Sequence, residues 1–389
     1  MIDLEKLQSS FKENFNTNNS PRIYFSPGRI NLMGEHIDYN GGYVVAAAVN
    51  MGTYAAAYPN KQNEIRLFSL NYKEVGIVKT HIRDISYRKE QEWANYPLGV
   101  IHTFQKKGFK LSQGLDIVFS GNIPHNSGLS SSASIELATA EALKDLFDFK
   151  LNKIETAVLC RESENNFNGV SCGIMDQFVC SMGEENKVIL LKSDTLKYKL
   201  VPFLSKKHSF IIINSNINRK LSDSKYNERV KECDSALKDL KKIKKTKNLC
   251  SLDTKEFNKY KNKIKNITHR KRAEHVVEEN YRTKLAAKAL ENKELNLFGK
   301  LMYESHKSLH YNYEVSIPHL DTLVELSEKE GALGSKMTGA GFGGCTVSLI
   351  PNNIISDFIK NIKREYKIKY SIDADIYIVK ISKGAQRIK

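Results

Sequence analysis

Gly121-Asn-Ile-Pro-His-Asn-Ser-Gly-Leu-Ser-Ser-Ser-Ala-Ser134 is the stretch on which the reading of this chain turns. Leu115 to Phe119 before it reads as a short strand, and the Gly/Pro/Asn segment as a turn. Ile135-Glu-Leu-Ala-Thr-Ala-Glu-Ala-Leu143 after it has strong helix formers with apolar residues at helical spacing. A helix that opens on small residues leaves its first N–H groups free, and its dipole makes that end attractive to anions. Four serines in five positions, Ser130 to Ser134, exceed what a simple N-cap requires, so the segment suits phosphate. It lacks the Gly-Lys-Ser/Thr end of a Walker A loop and is not a dinucleotide fingerprint.

Working outward, a length of 389 residues predicts two lobes rather than one core. The expected division lies near 185–205, giving 1–190 and 191–389. Residues 1–20 read as an amphipathic helix and a polar turn, and strands with tight turns follow from Arg22. Helices are expected over 92–106 and 152–165, strands at 188–191 and 210–213, and a long helical stretch over 225–309. A glycine-rich turn at 338–344 leads into a strand at 346–350, and a helix and strand close the chain.

No uninterrupted apolar run approaches the length of a membrane span, and the N-terminus does not read as a signal peptide. Six cysteines without a C-x-x-C pair suit reduced thiols in a cytosolic protein. A net charge of +16 raises the question of nucleic acid, since much of it lies between Lys238 and Arg272. The lysines there alternate with Leu240, Ile243 and Ile264 as solvated helix faces do, with few aromatics for base stacking. Neither nucleic acid nor a membrane is an expected partner.

Three further segments carry chemistry. Pro27-Gly-Arg-Ile-Asn-Leu-Met-Gly-Glu-His-Ile-Asp-Tyr-Asn-Gly-Gly42 places Arg29, Glu35, His36 and Asp38 among glycines that permit sharp turns. Carboxylates that accept and an imidazole that donates suit a ligand with several hydroxyls, such as a sugar. In Cys172-Gly-Ile-Met-Asp-Gln177, Asp176 stands among apolar neighbours, either as a helix cap or as a carboxylate needing a partner such as Arg29. Lys336-Met-Thr-Gly-Ala-Gly-Phe-Gly-Gly-Cys345 is a glycine run that fits either a close backbone approach to a ligand or a tight interlobe turn.

Taken together, these segments resemble the galactokinases, within the superfamily of homoserine, mevalonate and phosphomevalonate kinases. Pro27 to Tyr39 resembles the sugar signature, Pro124 to Ser134 the phosphate loop, and Met337 to Cys345 the third glycine motif. Trp93-Ala-Asn-Tyr96 and Tyr226-Asn-Glu-Arg-Val-Lys-Glu-Cys233 extend the likeness. The resemblance implies an α+β fold of two lobes with the active site in the cleft between them. It implies transfer of the ATP γ-phosphate to O1 of α-D-galactose. Glu35, His36 and Asp38 would bind sugar hydroxyls, with the Gly173 backbone and Tyr226. Asp176 would orient or deprotonate the anomeric hydroxyl, with Arg29 stabilising charge. Gly128, Ser130, Ser131, Ser132, Ala133 and Ser134 would cradle ATP, with Trp93 and Tyr96 near the adenine. Ser132 and Glu164 would hold Mg²⁺. A monomer is the expected state.

Three positions depart from the family pattern. Asn126 stands where many members have glycine, Ile37 where galactokinases commonly have threonine, and Asn218 where arginine is common, with Arg219 beside it. Isoleucine at position 37 also occurs in N-acetylgalactosamine kinases, which raises the question of the sugar's C2 substituent. A catalytically silent sensor of galactose and ATP that regulates transcription is the alternative from another class. Known sensors lack part of the Ser-Ala run that is intact here.

Overall fold

The computed structural model describes residues 3–124, 127–203, 205–217 and 222–389. Asn126, Asn218 and Arg219 lie outside the described residues. The N-terminal helix Leu4–Phe15 is capped by Asp3, whose carboxylate accepts from the N–H groups of Glu5 and Lys6.

A large sheet follows from β1 (Arg22–Met33), β2 (Tyr43–Asn60), β3 (Glu64–Ser69), β4 (Val78–His81), β5 (Gly114–Gly121), β6 (Lys187–Lys192) and β7 (Lys197–Pro202). A four-stranded antiparallel sheet is formed by β8 (His208–Asn214), β9 (Gly334–Thr338), β10 (Cys345–Pro351) and β11 (Asp375–Val379), in the order β11-β8-β10-β9. A last short strand, β12 (Gln386–Arg387), returns to the large sheet beside β1. The expected division at residue 190 falls inside β6, and β7 continues the same sheet to Pro202.

Long β2 organises the large sheet. Its first residues, Tyr43 to Ala46, pair with β6, and its second half pairs with β5. Nearly every residue of β1 is buried. The helix Ser131–Leu146 and its neighbours build one apolar core with Ala55, Ala57 and β5. Ile30 and Leu32 join a second core with Leu290, Phe298 and Leu301 from the helices Ile267–Glu291 and Leu295–Ser308. A strand covered on both faces explains why its sequence shows no clean alternation. Bulges at Pro27/Gly28 and Asn31/Met33 bracket Arg29, and such irregularities re-aim a side chain.

The helix expected over 92–106 is α-helical from Asn95 to Lys106 and is preceded by a 3-10 turn, Lys89–Ala94. The long helical stretch divides into Ser222–Lys241, Thr254–Tyr260, Ile267–Glu291 and Leu295–Ser308. Among the described residues no helix is long and apolar enough to cross a membrane.

Candidate active site

A cavity of about 140 Å³ lies where the two sheets' connecting segments meet. Its lining joins Arg29, Glu35, His36 and Asp38 to Glu164, Gly173 and Asp176, with Tyr226, Gly339 and Ala340 from the second half of the chain. Arg29 is the hub. Its Nε and Nη2 each donate at 2.8 Å to the two carboxylate oxygens of Asp176, and Nη1 donates at 2.7 Å to the Gly128 carbonyl. Asp176 is in the first turn of the helix Met175–Met182, whose N-cap is Ile174, so the carboxylate is no cap. It faces the cavity, gripped by Arg29 and by the Ser130 hydroxyl, which donates at 2.5 Å.

Around this hub the sugar-signature residues take different environments. The Glu35 carboxylate is almost fully buried, accepts the Gly339 N–H at 2.6 Å and pairs with Lys336 Nζ at 2.9 Å. Burial pushes it up to about 7, against the opposing pull of Lys336 and Arg29. Asp38 accepts the Met175 N–H, and burial with the nearby Asp176 charge raises it to about 6. Gly173 is required beside it, because a Cβ there would overlap the Asp38 carboxylate. His36 bonds through both ring nitrogens, to Tyr39 and to the Ala340 carbonyl. The Tyr226 ring packs 5.3 Å from the His36 ring. Ile37 is fully buried in the core with Val44 and Val179 and does not line the cavity. The question it raised about the C2 substituent therefore has no basis in direct contact.

The serine-rich stretch divides by role. Ser130 is left-handed, at φ 62°, and makes no side-chain cap, so the helix Ser131–Leu146 begins with uncapped N–H groups beside an exposed Ser131. Ala133 and Ser134 are fully buried. The Ser134 hydroxyl sits 2.7 Å from the Ser26 carbonyl and accepts the Thr53 N–H at 3.0 Å, pinning the helix to β1 and β2. That hydroxyl has no face left for a nucleotide. A second cavity of about 190 Å³ opens beside the helix start, lined by Ser131, Ser132, Trp93, Tyr96 and Tyr72. Tyr72 stacks parallel to Trp93 with centroids 6.4 Å apart. Asn95 holds this wall by bonding both the N–H and the carbonyl of Arg88.

Glu164 is buried between the two cavities, hydrogen-bonded by Ser132 and Gln177. Burial and the Asp176 charge raise its carboxyl to about 7. Behind it, burial and Glu164 raise the Glu136 carboxyl well above its usual range, and its Oε1 has no hydrogen-bond partner. These crowded carboxyls and the Ser132 hydroxyl are hard oxygen donors. Among the described residues, no group of three or more His, Cys, Asp or Glu side chains is placed to hold a metal ion.

Three family models match the chain: the galactokinase galactose-binding signature over residues 9–59, the GHMP kinases N terminal domain over 95–184, and the GHMP kinases C terminal over 286–368. The chain is 46% identical over 389 residues to a galactokinase of Clostridium beijerinckii, covering all of both chains. The chain belongs to the galactokinase family. It is also 43% identical over 386 residues to a galactokinase of Bacillus subtilis, covering 99% of each. The crystal structure of Lactococcus lactis galactokinase complexed with galactose superposes with a TM-score of 0.97 at 39% identity, covering 99% of this chain and 100% of that one. Methanococcus jannaschii mevalonate kinase, at 21% identity and a TM-score of 0.69 over 94% of this chain and 99% of that one, shares the fold.

Within this galactokinase-family frame, several residues escaped the sequence reading. Lys336 stands at the start of a glycine motif in the sequence, yet it is fully buried on β9 and pairs with Glu35. A lysine in a strand otherwise free of charge was the available signal. Tyr72 lies far from the motifs, and nothing local marks it. Asn31 lines the first cavity with its side-chain amide unpaired, and its position inside β1 hid it.

Proposed function

We propose that this chain transfers the γ-phosphoryl group of ATP to O1 of α-D-galactose, giving galactose 1-phosphate and ADP. The observation that carries this reading is the Asp176 carboxylate, held by Arg29 on the cavity wall between the Glu35–Asp38 segment and the uncapped helix start at Ser131. A sugar in the first cavity would meet Glu35, Asp38, the Gly173 backbone and Tyr226. An adenine against Trp93, Tyr96 and Tyr72 would direct its phosphates toward the N–H groups of Ser131, Ser132 and Ala133.

Asp176 would accept the O1 proton or draw it into a strong hydrogen bond. The Arg29 guanidinium keeps the carboxylate oriented and stabilises charge that builds on the transferring group. Phosphoryl transfer depends chiefly on such positioning and charge neutralisation. Ser132 and Glu164 would hold Mg²⁺, with nucleotide phosphate oxygens and water completing the shell, and the ion would supply neutralisation of phosphate charge. Burial and the Asp176 charge raise the Glu164 carboxyl to about 7, and a cation beside it would favour its ionised form. Six free cysteines support a cytosolic setting.

The test is ADP release with ATP and Mg²⁺, comparing galactose, N-acetylgalactosamine, glucose and mevalonate. Turnover of galactose well above the other three is expected. Preference for N-acetylgalactosamine would reassign the substrate, and no turnover of any sugar would overturn the kinase reading in favour of a sensor.

A further inference from the structure

A buried chain of hydrogen bonds leads away from the first cavity and has no part in the scheme above. His36 Nε2 lies 3.1 Å from the Ala340 carbonyl oxygen, and Nδ1 lies 2.9 Å from Tyr39 Oη. Tyr39 Oη is 2.7 Å from Tyr313 Oη, which is 3.2 Å from Cys233 Sγ. Tyr313 and Cys233 are almost completely buried, so bulk water does not compete for these bonds.

Counting protons fixes the direction of every bond. A carbonyl oxygen can only accept, so Nε2 of His36 carries a proton. Burial lowers the His36 imidazole to about 3, which leaves Nδ1 as a bare acceptor at neutral pH. Tyr39 must then spend its one proton on Nδ1 and accept from Tyr313. Tyr313 in turn spends its proton on Tyr39 and accepts from the Cys233 thiol, which burial keeps protonated by raising it to about 12. The rings of Tyr226 and Tyr313 pack 5.3 and 4.9 Å from the imidazole and oppose its rotation.

We propose that Tyr39, Tyr313 and Cys233 are positioning residues that lock His36 in its Nε2-protonated tautomer, so that its one N–H stays committed to the Ala340 carbonyl and the sugar-signature loop stays tied to the Gly339–Ala340 turn. The sugar side of this statement rests on the proposed function, whereas the tautomer does not. That bond fixes the Gly339–Ala340 turn against the sugar-signature loop, and the Gly339 N–H in turn holds Glu35, a proposed sugar ligand, at 2.6 Å.

The test combines histidine ¹⁵N NMR of the sugar-free full chain with steady-state kinetics. Wild type should show His36 as the pure Nε2–H tautomer. Tyr39→Phe removes the donor to Nδ1 and should give mixed tautomers, with KM for galactose raised about three- to tenfold and KM for ATP unchanged. Cys233→Val should weaken the lock in the same direction, and Cys233→Ser, which keeps a donor, should restore both readings. A pure Nε2–H signal in both Tyr39→Phe and Cys233→Val overturns the proposal, as does an equal rise in KM for both substrates. If wild type turns over no galactose, the NMR arm alone decides, so the two readings fail separately.

Discussion

Lys336 Nζ lies 2.9 Å from Glu35 Oε2 with both side chains almost wholly removed from solvent, one on β9 and the other just after β1. Two charges so deeply buried depend on each other. Lys336→Met should leave Glu35 without its counter-ion and destabilise the protein by about 3–5 kcal/mol, read by chemical denaturation. Adding Glu35→Gln to that variant should recover much of the stability and none of the sugar affinity. A single Lys336→Met variant as stable as wild type would show that the pair is incidental.

Asp176→Asn tests the carboxylate at the centre of the site. The amide keeps the shape but cannot take a proton, and it gives Arg29 only one good acceptor. Turnover should fall about 10²–10⁴-fold, while nucleotide binding, followed by Trp93 fluorescence, should persist. Activity close to wild type would remove Asp176 from its assigned role.

Acid should weaken sugar binding through Asp38. Burial and the neighbouring Asp176 charge raise this carboxyl to about 6, so it is ionised above that pH and protonated below it. Only the ionised form offers both oxygens as acceptors. KM for galactose should therefore rise by up to about tenfold per pH unit below 6. In Asp38→Asn the acid limb should disappear and KM should be high throughout. A KM that stays level from pH 5 to 7 in wild type would contradict this assignment.

Ser134 distinguishes framework from nucleotide contacts within one serine run. Its hydroxyl bonds Ser26 and Thr53 inside the protein. Ser134→Ala should lower stability by about 1–3 kcal/mol and leave KM for ATP unchanged. Ser131→Ala should do the reverse, with little change in stability. A larger effect of Ser134→Ala on KM than on melting would return that hydroxyl to the nucleotide site.

The sequence carried the site further than the fold. Arg29, Glu35, Asp38 and Asp176 were legible because charged groups among glycines and apolar residues need a task or a partner. The two-lobed α+β fold came through resemblance, and its two sheets stayed hidden, since β1 is buried on both faces and shows no alternation. What stayed hidden depends on the direction of side chains. Ser131 and Ser134 look alike in sequence and share a helix face, but Ser131 is the exposed first residue of the helix and Ser134, nearly one turn further in, is held against β1 and β2. Ile37 lies between two cavity residues and still points into the core, because His36 before it takes a left-handed φ of 61°. Tyr313 reaches His36 only through the packing of distant helices, and no spacing along the chain announces it.

Gly339 and Gly128 belong to segments more than two hundred residues apart, yet a Cβ on Gly339 would come 2.7 Å from the Gly128 carbonyl. That same carbonyl accepts from Arg29, and the Gly339 N–H holds Glu35. Three stretches of chain are thus fitted to one another at the scale of single atoms. They form one unit of inheritance: a chimaera that exchanged the second half for that of a distant relative would have to bring a glycine to this spot. Diversification of substrate in such a scaffold is confined to the side chains around the junction, because the junction itself has no room to vary.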